Sequence, residues 1–563
     1  MIIGLDVGGT HTDVVLLSNE SGLVSAAKVP TDPANLFNSV LAGLEEVTRG
    51  IAPGAISRVV LSTTLTTNAI VQNKLAPVGM IVCSGPGIAP ELYSCGGHYH
   101  VVSGAIDHRG REIKPVNRDE IKAVVEQLRR SGIRIVGVVG KFSPRNPAHE
   151  LAIREVLKDS FDPVFLGHHI SGSLNFPRRI ATTFLNAAVY PLHIKFYEAV
   201  RKSLDAKGLT LPIRILKADG GNMKFSASVN FPGQTIFSGP AASVMGSIAF
   251  APDKEDSLVM DIGGTTTDMA ILVNRVPLLD PLGIEINHYK TLIRSIDTFS
   301  VGLGGDSAVT YSDGRVVIGP ERLGPAMAYG GPAPTPTDAL FVLGRINGGD
   351  RERAADGIGP IAQALNITVE EAAAEIFDSA CRNLLSKAQD MIFRVNSQPV
   401  YTVNELLDGY KVTPKKILVL GGPAPYFAEQ LRQICDYNIE VVPRWGVANA
   451  IGAALARTTC EVVLFADTER EIATAPNENF SKAIDSSFDS QAALKIAFEL
   501  LREKAIGRGA NPDYLEMEVL ENQQFNMVRG FSTTGKNIRV KVQVKPGLIH
   551  GYDRLLEKIA AGL

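Results

Sequence analysis

The residues best suited to chemistry lie in Asp261-Ile-Gly-Gly-Thr-Thr-Thr-Asp268, between the apolar runs Ser257–Met260 and Met269–Val273. Two acids, two glycines and three hydroxyl side chains meet where a hairpin has to turn. Glycine lets backbone N–H groups close on an anion, hydroxyls add donors, and carboxylates can hold a divalent cation. That chemistry suits a phosphate bound together with magnesium, although one such turn alone is as readily an ordinary hairpin with a polar tip. The amino terminus repeats the pattern without a gap: Asp6, Gly8, Gly9, Thr10, Thr12 and Asp13 match Asp261, Gly263, Gly264, Thr265, Thr267 and Asp268. A duplicated anion-binding hairpin implies two similar lobes facing one ligand.

Gly8, Gly9, Thr10, Gly263, Gly264 and Thr265 are the expected phosphate donors, with His11, Thr12 and Thr266 beside them. Asp6 and Asp261 end the strands that enter the turns. They are the expected magnesium ligands and catalytic carboxylates; their alternative role is capping the turn's own N–H groups. Asp13 and Asp268 close the turns, and Asp268 could also orient a nucleophile. Gly304 and Gly305, within Ser300–Ser307, either approach the ligand or form a tight loop. Cys95-x-x-His98-x-His100 lacks the second ligand pair of a zinc site. His168-His169 reads as a surface or interface pair, and Cys83 as a core thiol.

These turns need sheets to hold them. Arg58–Leu61 reads as a strand that ends in the hydroxyl-rich turn Ser62–Asn68. Val78–Cys83 and Ile133–Val139 are near-continuous apolar runs, as in a parallel sheet covered on both faces, with an amphipathic helix from Asp119 to Ser131 between them. Arg178–Leu204 carries a helical pattern interrupted at Pro191. Further on, Phe237–Gly246 and Gly446–Ala456 read as small-residue helices, and Lys415–Leu420 as a strand feeding Gly421-Gly422-Pro423. From about Val462 the pattern is strand, helix and strands with no motif for chemistry.

The 563 residues are too many for one core. With 45% hydrophobic and 20% charged residues, the composition is that of a globular chain. A net charge of −3 argues against nucleic acid as the main partner. No apolar run reaches the ~18–20 residues of a membrane span, and Met1-Ile-Ile-Gly-Leu5 enters a strand without a signal-peptide layout. Five scattered cysteines suit a reducing compartment, so the expected location is cytoplasmic.

The order of these motifs resembles the actin-like ATPase superfamily. Within it the chain is most similar to the hydantoinase A/5-oxoprolinase family, through Gly4–Asp13, Thr63–Ala69, Asn186-Ala187 with Pro191, Phe237–Ala241, Asp261–Asp268, Thr337–Ala339 with Leu343-Gly344, and Gly421–Pro423. The resemblance implies an α/β, two-lobed actin-like fold with duplicated ribonuclease-H-like sheets. Its expected divisions are an N-terminal lobe over 1–185, a second lobe over 186–460 with a helical insertion at about 320–410, and a C-terminal α+β region over 461–563. It also implies ATP and Mg²⁺ as cofactors, Gly421 and Gly422 at the adenosine, and ATP-dependent opening of cyclic amides of hydantoin or 5-oxoproline type. Expected partners are the cyclic amide, a B-type subunit and further copies of the chain. A small-molecule kinase, an ATP-dependent carboxylase subunit and a non-catalytic nucleotide-dependent activator are the alternatives. One departure stands out: where family members commonly have His-Gly-Thr-Thr, this chain has Leu61-Ser62-Thr63-Thr64.

Overall fold

The apolar run Ile2–Val7 pairs antiparallel with His11–Ser18 and parallel with Arg58–Thr63. Gly22–Pro30 extends one side, and Ile213–Leu216 and Asn222–Lys224 the other. The result is a six-stranded mixed sheet in a computed structural model that describes residues 1–32, 34–251, 255–397 and 411–561. Ser257–Ile262 and Thr267–Val273 repeat the arrangement: an antiparallel hairpin whose first strand has Lys416–Leu420 as its parallel partner. Each hairpin turn therefore lies beside the carboxyl end of a parallel strand, where open α/β sheets bind ligands. The central strands are buried along almost their whole length, which is why their sequences are continuously apolar instead of alternating.

Helices Ser238–Ile248 and Ala448–Leu455 pack on each other and share one core with residues from both sheets, such as Val15 and Val259. Their contact is too close for side chains at the crossing. A Cβ on Gly452 would lie 2.1 Å from the Ala242 carbonyl oxygen, and one on Gly246 would lie 2.2 Å from that of Ala448. Small residues here set the spacing between the two hairpins.

Val78–Cys83 and Ile135–Gly140 are the central strands of a four-stranded parallel sheet, as their composition predicts, and the helix between them spans Arg118–Arg130. The expected break at Pro191 is absent. One helix runs from Phe176 to Ala206 with Pro191 inside it. Proline removes a single donor, and the nearby Ala188 carbonyl finds the Ala76 N–H at 3.3 Å. The expected division between residues 185 and 186 falls within this helix, and Ile213–Lys224 returns to the first sheet.

Helices Pro336–Val342, Arg351–Leu365 and Val369–Asn396 cover the outer face of the second sheet. The end of the expected insertion, 398–410, lies outside the described residues. Beyond Cys460, a five-stranded antiparallel sheet packs on helix Ser490–Gly507. The last helix, Tyr552–Ala561, leaves that sheet and returns to the core between the two hairpins. Among the described residues no helix is long and apolar enough to cross a membrane.

Candidate functional site

In each hairpin the two acids face one another across the ladder: Asp6 opposite Asp13, and Asp261 opposite Asp268. The turns close identically, with the Gly8 N–H donating to the His11 carbonyl at 3.0 Å and the Gly263 N–H to that of Thr266 at 2.9 Å. That leaves the N–H groups of Gly9, Thr10, Gly264 and Thr265 without a hydrogen-bond partner among the described residues. These four residues are exposed at the tips. Outward-pointing N–H groups on a small turn form an anion-binding concavity. Gly8 and Gly263 thus shape the turns instead of donating to a ligand.

The carboxylates below the tips are close together, Asp6 and Asp13 buried, Asp261 and Asp268 half-buried. Asp6 accepts from the Ser62 hydroxyl at 2.5 Å and from the Asn449 amide at 2.6 Å. Asn449 also donates to Asp13 at 3.1 Å, and Lys28 meets Asp13 at 2.8 Å. Asp261 accepts from the Ser243 hydroxyl at 2.5 Å, and Asp268 accepts from Ser300. Burial pushes Asp6 up to about 7; its two donors oppose that shift, while the charges of Asp13 and Asp261 add to it. Burial likewise raises Asp261 and takes Asp268 to about 6. The raised pKa values reflect desolvated carboxylates that repel one another, a situation that a cation relieves.

Among the described residues no three His, Cys, Asp or Glu groups converge on a metal position. Asp6 and Asp261 still fit magnesium, which takes one or two carboxylates and completes its shell with water and phosphate oxygens. Asp13 and Asp268 are already engaged by Lys28, Asn449 and Ser300, and they act on the first pair through position and charge.

Gly304 and Gly305 take the tight-loop alternative. The Gly304 N–H donates to the Ser307 hydroxyl at 2.8 Å, and the Gly305 N–H to the Gly263 carbonyl at 2.9 Å. A Cβ on Gly304 would meet the Gly263 oxygen at 2.5 Å, so this loop buttresses the second hairpin from behind. Gly421 follows the strand beside Asp261 with φ of +96°, and a Cβ there would lie 2.6 Å from Asp261 Oδ1. Gly422 faces open space. His11 and Thr266 are exposed at the tips, while Thr12 is buried and bonds to the Thr31 hydroxyl at 2.9 Å. His168 is not a surface residue: it is buried, with Nδ1 2.5 Å from the equally buried Glu150, whose charge needs a partner.

Sequence reasoning passed over Asn449, Ser243 and Lys28. Ser243 is one of three serines in its helix, and the partner of Asn449 is set by packing alone. Ser62 was singled out only as a departure, yet its hydroxyl is a direct partner of Asp6 that glycine could not supply.

At the carboxyl end of strand Ile213–Leu216 lies a cavity of about 80 Å³. Its wall includes Thr182, Asn186, Lys217, Gln234 and Arg294. Gln234 Oε1 and His169 Nε2 are inaccessible to solvent and have no hydrogen-bond partner among the described residues. Burial and the adjacent His168 bring His169 down to about 4, so its ring is neutral near pH 7. Two strand spacings, about 10 Å, separate this sheet edge from Asp6.

Fold and site together define an α/β protein built around two copies of one polar-tipped hairpin. The sequence profile described as Hydantoinase/oxoprolinase matches residues 179–462, and the one described as Hydantoinase/oxoprolinase N-terminal region matches 2–161. The chain belongs to the hydantoinase/oxoprolinase family. It is 26% identical to the acetophenone carboxylase gamma subunit of Aromatoleum aromaticum, over 94% of this chain and 77% of that one. It is 25% identical to the caprolactamase subunit alpha of Pseudomonas jessenii, over 66% of this chain and 60% of that one. A nucleotide-free acetone carboxylase structure superposes with a TM-score of 0.72 at 18% identity, covering 98% of this chain and 88% of that one. The Pseudomonas jessenii ATP-dependent caprolactamase superposes with a TM-score of 0.70 at 19% identity, covering 96% and 87%.

Proposed function

We propose that the chain binds ATP between the two hairpins and uses it to open a cyclic amide, alone or as the A-type subunit beside a B-type partner. The observation that carries this reading is the pair of turns with unpartnered N–H groups above buried Asp6 and half-buried Asp261. The two hairpin-bearing sheets act as the lobes of an actin-like ATPase, each ribonuclease-H-like, and meet at helices Ser238–Ile248 and Ala448–Leu455. Gly421 and Gly422 take the adenosine end. Magnesium on Asp6 and Asp261 would neutralise phosphate charge.

The N–H groups of Gly9, Thr10, Gly264 and Thr265 hold the phosphate oxygens, so that the γ-phosphorus faces the acceptor. The amide carbonyl oxygen attacks that phosphorus and ADP departs, leaving the carbonyl carbon bonded to oxygen that now carries phosphate. Resonance makes an amide a poor electrophile, and the transfer turns its oxygen into a leaving group. Water then adds to the carbon, the ring C–N bond breaks as the nitrogen takes a proton, and a second water attacks the resulting acyl phosphate at its carbon, so that phosphate leaves with the former carbonyl oxygen. Phosphoryl transfer asks the protein for positioning and charge neutralisation, which this site is built to supply. The cavity beside Lys217 and Gln234 is the acceptor position in this reading, and its unpartnered acceptors suit the N–H of a lactam.

The similarity to an acetophenone carboxylase subunit favours a second reading, in which the phosphate acceptor is the oxygen of a ketone enolate. The five cysteines are unpaired, which accords with the cytoplasmic setting proposed for either. A panel of lactams, hydantoins and ketones separates the readings by ADP release, with and without candidate B-type partners. Lactam-dependent release of ADP and phosphate supports the first. A stable phosphorylated product, or nucleotide binding with no turnover on any member, overturns it.

A further inference from the structure

A second cleft, of about 420 Å³, opens between the turn around Arg145 and the C-terminal sheet. It is unconnected with the hairpins, and its size is that of a small-molecule site. Three arginines line it: Arg109, Arg145 and Arg470. The lining contains one acid, Asp467, and that acid is fully engaged. Arg109 Nη2 meets Asp467 at 2.9 Å and Glu469 at 3.0 Å. Asp467 Oδ1 also accepts the N–H groups of Glu469 and Arg470, each at 3.1 Å.

Arg145 and Arg470 have no such counter-charge among the described residues. The Arg145 guanidinium lies over the Phe465 ring, 5.3 Å from its centroid, and its Nε is inaccessible to solvent and without a partner. Arg470 donates to the Arg109 carbonyl and forms no ion pair among the described residues. The two side chains converge at Gly110. A Cβ there would lie 3.2 Å from Arg145 Cβ and 3.2 Å from Arg470 Nη1. Burial pulls the Arg145 guanidinium below its ordinary pKa; Asp467 opposes this shift, while Arg539, Arg470 and Arg109 reinforce it. A desolvated cation facing other cations is a standing demand for an anion.

The geometry points to an organic carboxylate as the ligand of this cleft. With its Cζ over the Phe465 ring and its Nε covered, Arg145 has its two Nη groups left for a ligand, and two parallel N–H donors match the two oxygens of a carboxylate. Leu151, Ile472 and Phe480 supply apolar wall around that edge, so the molecule carries a hydrocarbon body. Inorganic phosphate would gain nothing from that wall. Residues 168 and 169 separate this cleft from the cavity beside Lys217, with His168 lining one and His169 the other.

Isothermal titration calorimetry on the full chain tests the assignment, with cyclohexanecarboxylate as probe, cyclohexanecarboxamide as its neutral counterpart and inorganic phosphate as the anion without a body. The expected result is one saturable site per chain for the carboxylate, at least tenfold tighter than for phosphate, and no saturable binding of the amide. Arg145→Gln weakens the carboxylate at least tenfold. Arg470 is exposed, so Arg470→Gln keeps the fold and serves as the second variant, with a loss of at least threefold. The assignment is overturned by no saturable binding of the carboxylate, by equal binding of the amide or of phosphate, or by unchanged affinity in Arg470→Gln or in a folded Arg145→Gln.

Discussion

Asp6 is held by donors from two distant parts of the chain, Ser62 on the neighbouring strand and Asn449 on a helix 443 residues away. This arrangement fixes both oxygens of a carboxylate that burial would otherwise leave unsupported. Asn449→Ala removes donors from Asp6 and Asp13 together, and it is expected to cost about 1–3 kcal/mol in urea unfolding. Asp261 has a lighter hold, a single hydroxyl from Ser243. Asp261→Asn is therefore expected to unfold close to wild type by circular dichroism while lactam-dependent ADP release falls roughly 100-fold or more. Release within a few-fold of wild type would remove Asp261 from the site. The amino-acid types announced these acids because both hairpins are local and their turn chemistry is written in consecutive residues. The partner Asn449 was not legible, since only tertiary packing brings its helix beneath the first hairpin.

At the scale of elements, the two small-residue helices set the distance between the hairpins. A Cβ at Gly452 would collide with the backbone of the facing helix. Gly452→Val is therefore expected to cost about 3 kcal/mol or more, seen as a lower thermal midpoint. The edge of the first sheet carries a second testable element. Burial alone would raise Asp219, but Lys217 at 2.9 Å, Arg294 and the Gly221 N–H outweigh it and hold Asp219 down to about 2. A carboxylate whose folded value is depressed stabilises the fold above its unfolded value near 4, and that contribution is lost as pH falls through the folded value. Unfolding free energy should therefore drop by on the order of 2 kcal/mol between pH ~4 and ~2. In Asp219→Asn that part of the acid limb should flatten. The parallel strands were legible as continuous apolar runs, whereas the helix through Pro191 was not. A proline reads as a break in sequence, but in the fold it costs one donor, and the nearby Ala188 carbonyl has an acceptor role outside the helix. The sequence left the loop at Gly304 and Gly305 open between two roles for a related reason: where an N–H points depends on what packs behind it.

For the molecule as a whole, the repeated hairpin in sequence becomes a repeated three-strand arrangement on either side of a shared helical core. That much followed from the internal repeat. The return of the last helix to this core and the cleft against the C-terminal sheet did not, because no short motif encodes a contact between distant segments. The central claim is that the γ-phosphoryl group passes to the oxygen of the cyclic amide. It is tested most directly with a lactam or hydantoin that stimulates ADP release, labelled with ¹⁸O at its carbonyl, by mass analysis of the phosphate formed. The account predicts phosphate carrying one ¹⁸O atom from the amide. Unlabelled phosphate, with the ¹⁸O retained in the opened product, would contradict it.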